Sequence, residues 1–331
     1  MATDKAQEIL FKRIKSLLPH HISMVDAVSE ILHVSTDSAY RRIRGETPLV
    51  LDEAVLLCSH FKLSLDQLMS LKKGGLIFRD IRIKGTGYSY QQYLKDLSDQ
   101  IEAVNDFLHK EIIYMSKDLP LFHNFYFRPL IAFRYYFWMK NHLMHPEFEK
   151  KKFSFDLLSD EIEHSSYGLA KAYGNIPSTE MWNIESLNST LSQIEFLKDS
   201  GHFESINDLK KIYETVEETI RHMMDQVEYG CKFMPGEDPA TKKSNFRFLY
   251  NRIVLGDNTV LAITDFTKTA FINYGGLNYL STNDESFCND LYNDFENLIP
   301  KSTQISKTGE KQRNMFFGIL LSKIQDRKRN L

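Results

Sequence analysis

The chain has 331 residues and a formal net charge of −3. That length exceeds one small unit and suffices for two or three domains, each burying its own core. The near balance of charge excludes a protein that coats nucleic acid through basicity spread over its whole surface. The scattered Cys58, Cys231 and Cys288 exclude a disulfide framework or a zinc knuckle. The sequence shows no basic segment followed by an apolar core at its start, and no run of about twenty uncharged apolar residues. These features predict a cytoplasmic protein with no membrane partner.

In chain order, residues 5 to 18 predict a helix packed through Ile9, Leu10, Ile14, Leu17 and Leu18 and stopped by Pro19. SMVDAVSEILHV (23 to 34) predicts a second, short helix with Val25, Val28 and Ile31 spaced for burial. HVSTDSAYRRIRGE (33 to 46) follows at once. Ser35 can cap a helix whose first turn holds Thr36, Asp37 and Ser38, with Asp37 complementing the positive end of the dipole. Gly45 ends it. Ala39 and Ile43 share the inward face, while Tyr40, Arg41 and Arg44 point outward. By itself such a helix also fits an ordinary solvated surface. LVLDEAVLLCSHFKLSLDQLM (49 to 69) adds two more short helices.

With HVS at the turn, RIRGE closing the second helix of the pair and LSLDQL closing the unit, this order resembles the λ-repressor/Cro-like (XRE-like) helix-turn-helix family. DSAYRRIRGE followed by LDEAVLLCSHF looks most like its BetR-type regulators. The resemblance covers about the first 70 residues. It departs from the usual pattern at His33, which stands at a turn that often carries Gly. The resemblance implies a unit over 1–72 that binds double-stranded DNA as a homodimer, with helix 35–44 entering the major groove, N-terminal residues nearest the bases. Ser35, Thr36, Asp37, Ser38 and Tyr40 are then DNA-binding candidates, the last four for base edges. Arg41, Arg42, Arg44 and Thr47 are candidates for phosphate contact or guanine readout.

KKGGLIFRDIRIKGTGY changes character and predicts a hinge or small strand over 73–88. Beyond it Leu94, Leu97, Ile101, Val104, Leu108 and Ile112 recur at three and four residue steps, predicting one helix of about 25 residues. LFHNFYFRPLIAFRYYFWMK (121 to 140) predicts a buried core helix or, through Phe125, Tyr126, Arg134, Tyr135 and Trp138, a ligand pocket or subunit interface. Helices over 154–173, 182–199 and 206–232 complete a helical bundle spanning 89–235. In 244–331, FRFLYNRIVL, TVLAIT and AFINY read as an antiparallel meander. Thr282 and Glu285 form a capping box for the next helix, and a last helix runs over 310–327. The expected fold is therefore mainly α: a λ-repressor-like N-terminal domain, a helical-bundle middle domain and a small C-terminal α+β unit with antiparallel strands.

Motifs for chemistry are fragmentary. Glu161 with His164 has the Glu-x-x-His spacing of a di-iron bundle, but a second pair is wanting, and Asp106 with His109 is a poor substitute. His142 and His145 could clip a metal but name no third ligand. Asp265 in LAITDFTKTA lacks the second acidic residue of an aspartyl-phosphate motif and reads as a turn residue. No enzyme, catalytic residue, metal or cofactor is expected. The function expected is a sequence-specific transcriptional regulator with a C-terminal ligand-sensing or dimerisation region and a small-molecule or peptide effector. The alternative is a helical protein-interaction scaffold whose helix-turn-helix unit serves as a docking module.

Overall fold

The computed structural model describes residues 2–19, 21–65, 76–81, 89–242, 245–253, 256–276, 278–329 and 331. Four helices open the chain: α1 (Ala2–Leu17), α2 (Met24–Leu32), α3 (Thr36–Ile43) and α4 (Leu51–His60). They enclose a core of their own, in which Leu10, Phe11, Ile14, Val28, Leu32, Ala39, Leu57 and Cys58 are buried. Ile9, expected inside, is instead 42% exposed, and Phe11 takes its place. The second short helix expected within 49–69 falls mostly outside the described residues, as does most of the hinge at 73–88. The described part of that hinge holds β1 (Arg79–Ile81).

The rest of the chain corrects the mainly α expectation. Its strands are β2 (Lys110–Ser116), β3 (Ser178–Trp182), β4 (Phe246–Tyr250), β5 (Thr259–Thr264), β6 (Lys268–Gly275), β7 (Asn278–Thr282) and β8 (Thr303–Gln304). With β1 they form one mixed sheet of eight strands in the order β1-β7-β6-β5-β2-β3-β4-β8. β2, β3 and β4 are parallel neighbours, whereas β5, β6 and β7 form an antiparallel meander that joins at β2. The fold is thus α/β, with a sheet that draws on both the expected bundle and the expected small unit. β4, expected in the meander, is separated from β5 by β2 and β3.

The misread elements have separate causes. The stripe from Leu94 to Ile112 is broken: α5 (Tyr90–Asn105) ends early, Leu108 is 75% exposed and Ile112 belongs to β2. A strand covered on both faces shows a continuous apolar run rather than alternation, so Ile112, Ile113 and Tyr114 extend a helical pattern by coincidence. β3 is buried at every position, yet its sequence STEMW has little apolar character, so it was hidden between a loop and a helix. The capping box also fails. Thr282 ends β7, and Asp284 caps α10 (Glu285–Leu298) by accepting from Phe287 N at 2.9 Å.

Because strand side chains alternate, the two faces have separate cores. Ile113, Leu261 and Ala270 pack on Cys288 and Phe295 of α10. Ile112, Tyr114, Trp182, Phe246 and Phe248 face the larger core, which is built by α5, α6 (Arg128–Asn141), α7 (Asp160–Gly174), α8 (Asn188–Asp199), α9 (Ile206–Tyr229) and α11 (Glu310–Lys328). No helix among the described residues is long and apolar enough to cross a membrane.

At the centre of the larger core is a carboxylate. Glu180 in β3 is fully buried and accepts from Tyr173 Oη at 2.7 Å and Trp182 Nε1 at 2.9 Å, with His123 Nε2 2.9 Å from Oε1. Lys232 Nζ is buried nearby without a hydrogen-bond partner among the described residues, 3.5 Å from the centre of the Tyr173 ring, where the π face stabilises its charge. Burial raises the Glu180 carboxyl, but His123, Lys232 and Tyr173 outweigh it and hold the group below the ordinary carboxylate range. Burial lowers the Lys232 ammonium to about 7, partly opposed by Glu180.

Glu180→Ala strands His123 and Lys232 in the core and is expected to destabilise the fold by about 3–5 kcal/mol in denaturant unfolding. At Glu180 the fold favours the charged form, whereas at Lys232 it favours the neutral form. Between about 7 and its ordinary 10.5 the folded chain holds fewer protons at this site than the unfolded one, so stability rises with pH across that window. Denaturant midpoints measured at both ends of the window should show this rise in the natural chain and its loss in Lys232→Met.

Candidate nucleic-acid interface and ligand cleft

The α2–α3 turn is made without glycine. His33 itself adopts the left-handed conformation (φ 53, ψ 42), and Ser29 Oγ donates to Val34 O at 2.7 Å to fix the exit. Ser35 then caps α3, its hydroxyl accepting from Ser38 N at 3.3 Å. Ala39 is fully buried and Ile43 half-buried, which turns the opposite face outward. Ser35, Thr36, Asp37, Tyr40, Arg41 and Arg44 are exposed, and Ser38 is half-buried. Arg44 lies over the Tyr40 ring at 5.6 Å, and both Arg44 and Arg41 lean on Glu46, at 3.3 and 3.9 Å. Such exposed pairs are weak and exchange readily for another anion.

Two expected contact residues face the other way. Arg42 pairs with Glu53 of α4 at 2.7 Å, with Nε also donating to both carboxylate oxygens, and its Nη1 donates to Ser38 O at 3.2 Å. That guanidinium ties α3 to α4. Thr47 is half-buried, and its carbonyl accepts from Gln7 Nε2 at 2.9 Å, holding the segment after α3 against α1.

The aromatic segment divides into three environments. Phe125 is core. Tyr126 belongs to the Glu180 cluster, its hydroxyl 2.8 Å from His123 Nδ1. Tyr135 is half-buried, its ring 5.2 Å from Tyr90 and 5.5 Å from Phe148. Arg134 and Trp138 alone of the five line a cleft, of about 300 Å³, beyond the carboxyl end of β2. This is where α/β sheets commonly bind ligands. Arg134 and Trp138 come from the middle of α6, Tyr93 from α5, Ser189, Thr190 and Gln193 from the start of α8, and Tyr279 from β7.

Asp118 enters the cleft from the loop after β2. Asn258 Oδ1 accepts from Lys117 N and Asp118 N at 2.9 and 3.0 Å, which fixes the loop. Burial raises the Asp118 carboxyl above its ordinary value, opposed by a hydrogen bond from Ser189 and by the charges of Lys117 and Arg134. Burial also lowers Arg134 to about 10, partly offset by Asp118, so it stays charged at neutral pH. Tyr114 and Tyr279 hydrogen-bond through their phenols at the floor. Gly276 closes one edge with φ +60, and a Cβ there would lie 2.4 Å from the His142 ring, so a side chain is excluded twice over.

Sequence reasoning missed Tyr93, Tyr114, Asp118, Thr190, Gln193 and Tyr279, which lie far apart along the chain. The one available signal was Arg134, a cation inside an otherwise aromatic helix. The weaker motifs dissolve: Glu161 and His164 are exposed on α7, and His142 lines the cleft. Asp265 accepts from Leu108 N and His109 N at 3.1 Å each and lies 2.6 Å from His109 Nδ1, as a turn anchor. Compared with models of protein families, with curated proteins and with solved structures, the chain finds no match.

The different settings of the arginines separate structure from surface. Arg42→Ala should cost about 1–2 kcal/mol, because it removes a partly buried bidentate pair. Arg41→Ala and Arg44→Ala should each stay within about 0.5 kcal/mol of the natural chain. Hydrogen exchange of the α3 and α4 amides distinguishes them, since faster exchange is expected for the Arg42 variant alone.

Proposed function

We propose that the protein is a sequence-specific DNA-binding transcriptional regulator whose C-terminal region senses a small ligand. The observation that carries the reading is the division of α3 into two faces. Ala39 seals the helix onto its domain, while Asp37, Tyr40, Arg41 and Arg44 form one outward stripe at three and four residue spacing. A helix so held can lie in a major groove with Thr36, Asp37 and Tyr40 toward base edges and Arg41 and Arg44 toward phosphates or guanine. Arg42 is withdrawn from that set by Glu53.

One such unit reads few base pairs, so a two-fold dimer is the working form. Val50, Leu51 and Val55, exposed by 58, 73 and 48%, offer apolar surface beside the reader for a second copy. The three cysteines are free, which suits a cytoplasmic regulator. The cleft supplies a place for an effector, and a ligand there that binds two arrangements of the chain unequally would couple to DNA affinity.

The test is selection of bound duplexes from a random pool, followed by anisotropy titrations over a range of salt. A defined motif should emerge. Arg41→Ala and Arg44→Ala should each weaken binding and lower the log–log salt slope by about 1 where the arginine meets phosphate. Failure to enrich any duplex, or an unchanged affinity and salt slope in the double variant, would overturn the reading in favour of a docking module.

A further inference from the structure

The cleft holds two opposite charges that do not pair. Arg134 is 4% exposed, and its Nε donates to Asn124 Oδ1 at 2.7 Å, its Nη2 to Thr190 Oγ1 at 2.5 Å and its Nη1 to Gln193 Oε1. All three acceptors are neutral, and Arg134 makes no ion pair among the described residues. A guanidinium carries five N–H donors, so two remain unassigned. Hydrogen bonds to neutral groups leave much of the desolvation cost of a buried cation in place. An incoming carboxylate would offset that cost through the strongest contact available to arginine.

The positive end of the cleft is reinforced by α8. Its N-cap residue is Leu187, which offers no side-chain acceptor, and the first turn beyond it carries Ser189 and Thr190 into the cleft. Asp118, half-buried, is at this same end, its carboxylate accepting a hydrogen bond from Ser189, beyond ion-pair contact with Arg134 yet close enough to favour its charge. A phosphate would meet repulsion from that carboxylate, and a sugar would neutralise neither group. Trp138 and Tyr93 provide apolar wall for a short side chain. The volume, about 300 Å³, is at the small end for ligand pockets and suits a small ligand.

We infer that the cleft binds a free amino acid, its carboxylate on Arg134 and its ammonium at Asp118. The inference rests on reading the cleft as the sensing site of the proposed regulator. Its test, however, contains no DNA. The full chain is titrated calorimetrically with each common free amino acid. The tightest binder is then replaced by its des-amino acid and by its decarboxylated amine.

At least one amino acid should saturate the protein, and each single-charge analogue should bind about tenfold to a hundredfold more weakly. Asp118→Asn should weaken the amino acid by a similar factor and leave the des-amino acid unchanged. Arg134→Lys, checked for an unchanged circular dichroism spectrum, should weaken both carboxylates. Absence of binding by every amino acid at millimolar concentration would overturn the inference, as would a des-amino acid that binds as tightly as its parent or an Asp118→Asn variant that behaves like the natural chain. None of these outcomes alters the duplex selection, and a failed selection leaves the titration standing.

Discussion

A carboxylate buried in the middle of a sheet is costly unless its environment is built for it, and Glu180 is the constraint to which the larger domain conforms. Its partners come from four places: His123 from the turn before α6, Tyr173 from α7, Trp182 from β3 itself and Lys232 from the segment after α9. Each must sit within hydrogen-bond reach, or within its field, for the charge to be tolerated. The result is a polar centre that fixes how three helical segments lie on β3, inside a core otherwise built of aliphatic and aromatic side chains. Apolar packing alone specifies position less sharply, because apolar contacts are non-directional.

The same short turn joins this centre to the cleft. In the 3-10 segment Leu121–Phe125, His123 is held by Glu180 and the next residue, Asn124, accepts from Arg134. Asn124 also donates to Pro120 O at 3.1 Å, which locks the turn. The cleft is therefore framed by hydrogen-bonded elements that hold the Arg134 side chain in one orientation. Gln226 extends the network, donating to Tyr126 Oη at 3.1 Å and Phe233 O at 2.7 Å, so that α9 is tied to the same turn.

The N-terminal unit is organised on a different principle. Its core is small and apolar, and its polar contacts lie at junctions between helices: Gln7 bridging α1 to the segment after α3, Ser29 closing the α2–α3 turn, Arg42 linking α3 to α4. These contacts fix the angle at which α3 is presented and leave Arg41 and Arg44 outside. Contact with the larger domain is made by Arg13, whose Nη2 donates to Asn283 O at 3.0 Å next to the start of α10.

Elements whose signals are local were legible in the sequence alone. The cap at Ser35, the buried Ala39 and the outward Tyr40, Arg41 and Arg44 follow from the neighbouring residues, and so do the long stripe of α9 and the last helix. Arg134 and Trp138 were also legible as pocket candidates, because a cation in the middle of an aromatic run must find partners. What tertiary structure decided was everything that depends on pairing across distance. β2 and β3 became strands because partners far along the chain pair with their edges; in β2 two-sided burial removes the alternation by which a strand is recognised, and β3 is buried with little apolar character to mark it. Arg42 was taken by Glu53, and Asp118 was brought into the same cleft as Arg134, through contacts that no spacing rule encodes. Sequence periodicity reports which residues seek cover, whereas only the folded chain determines which residues provide it.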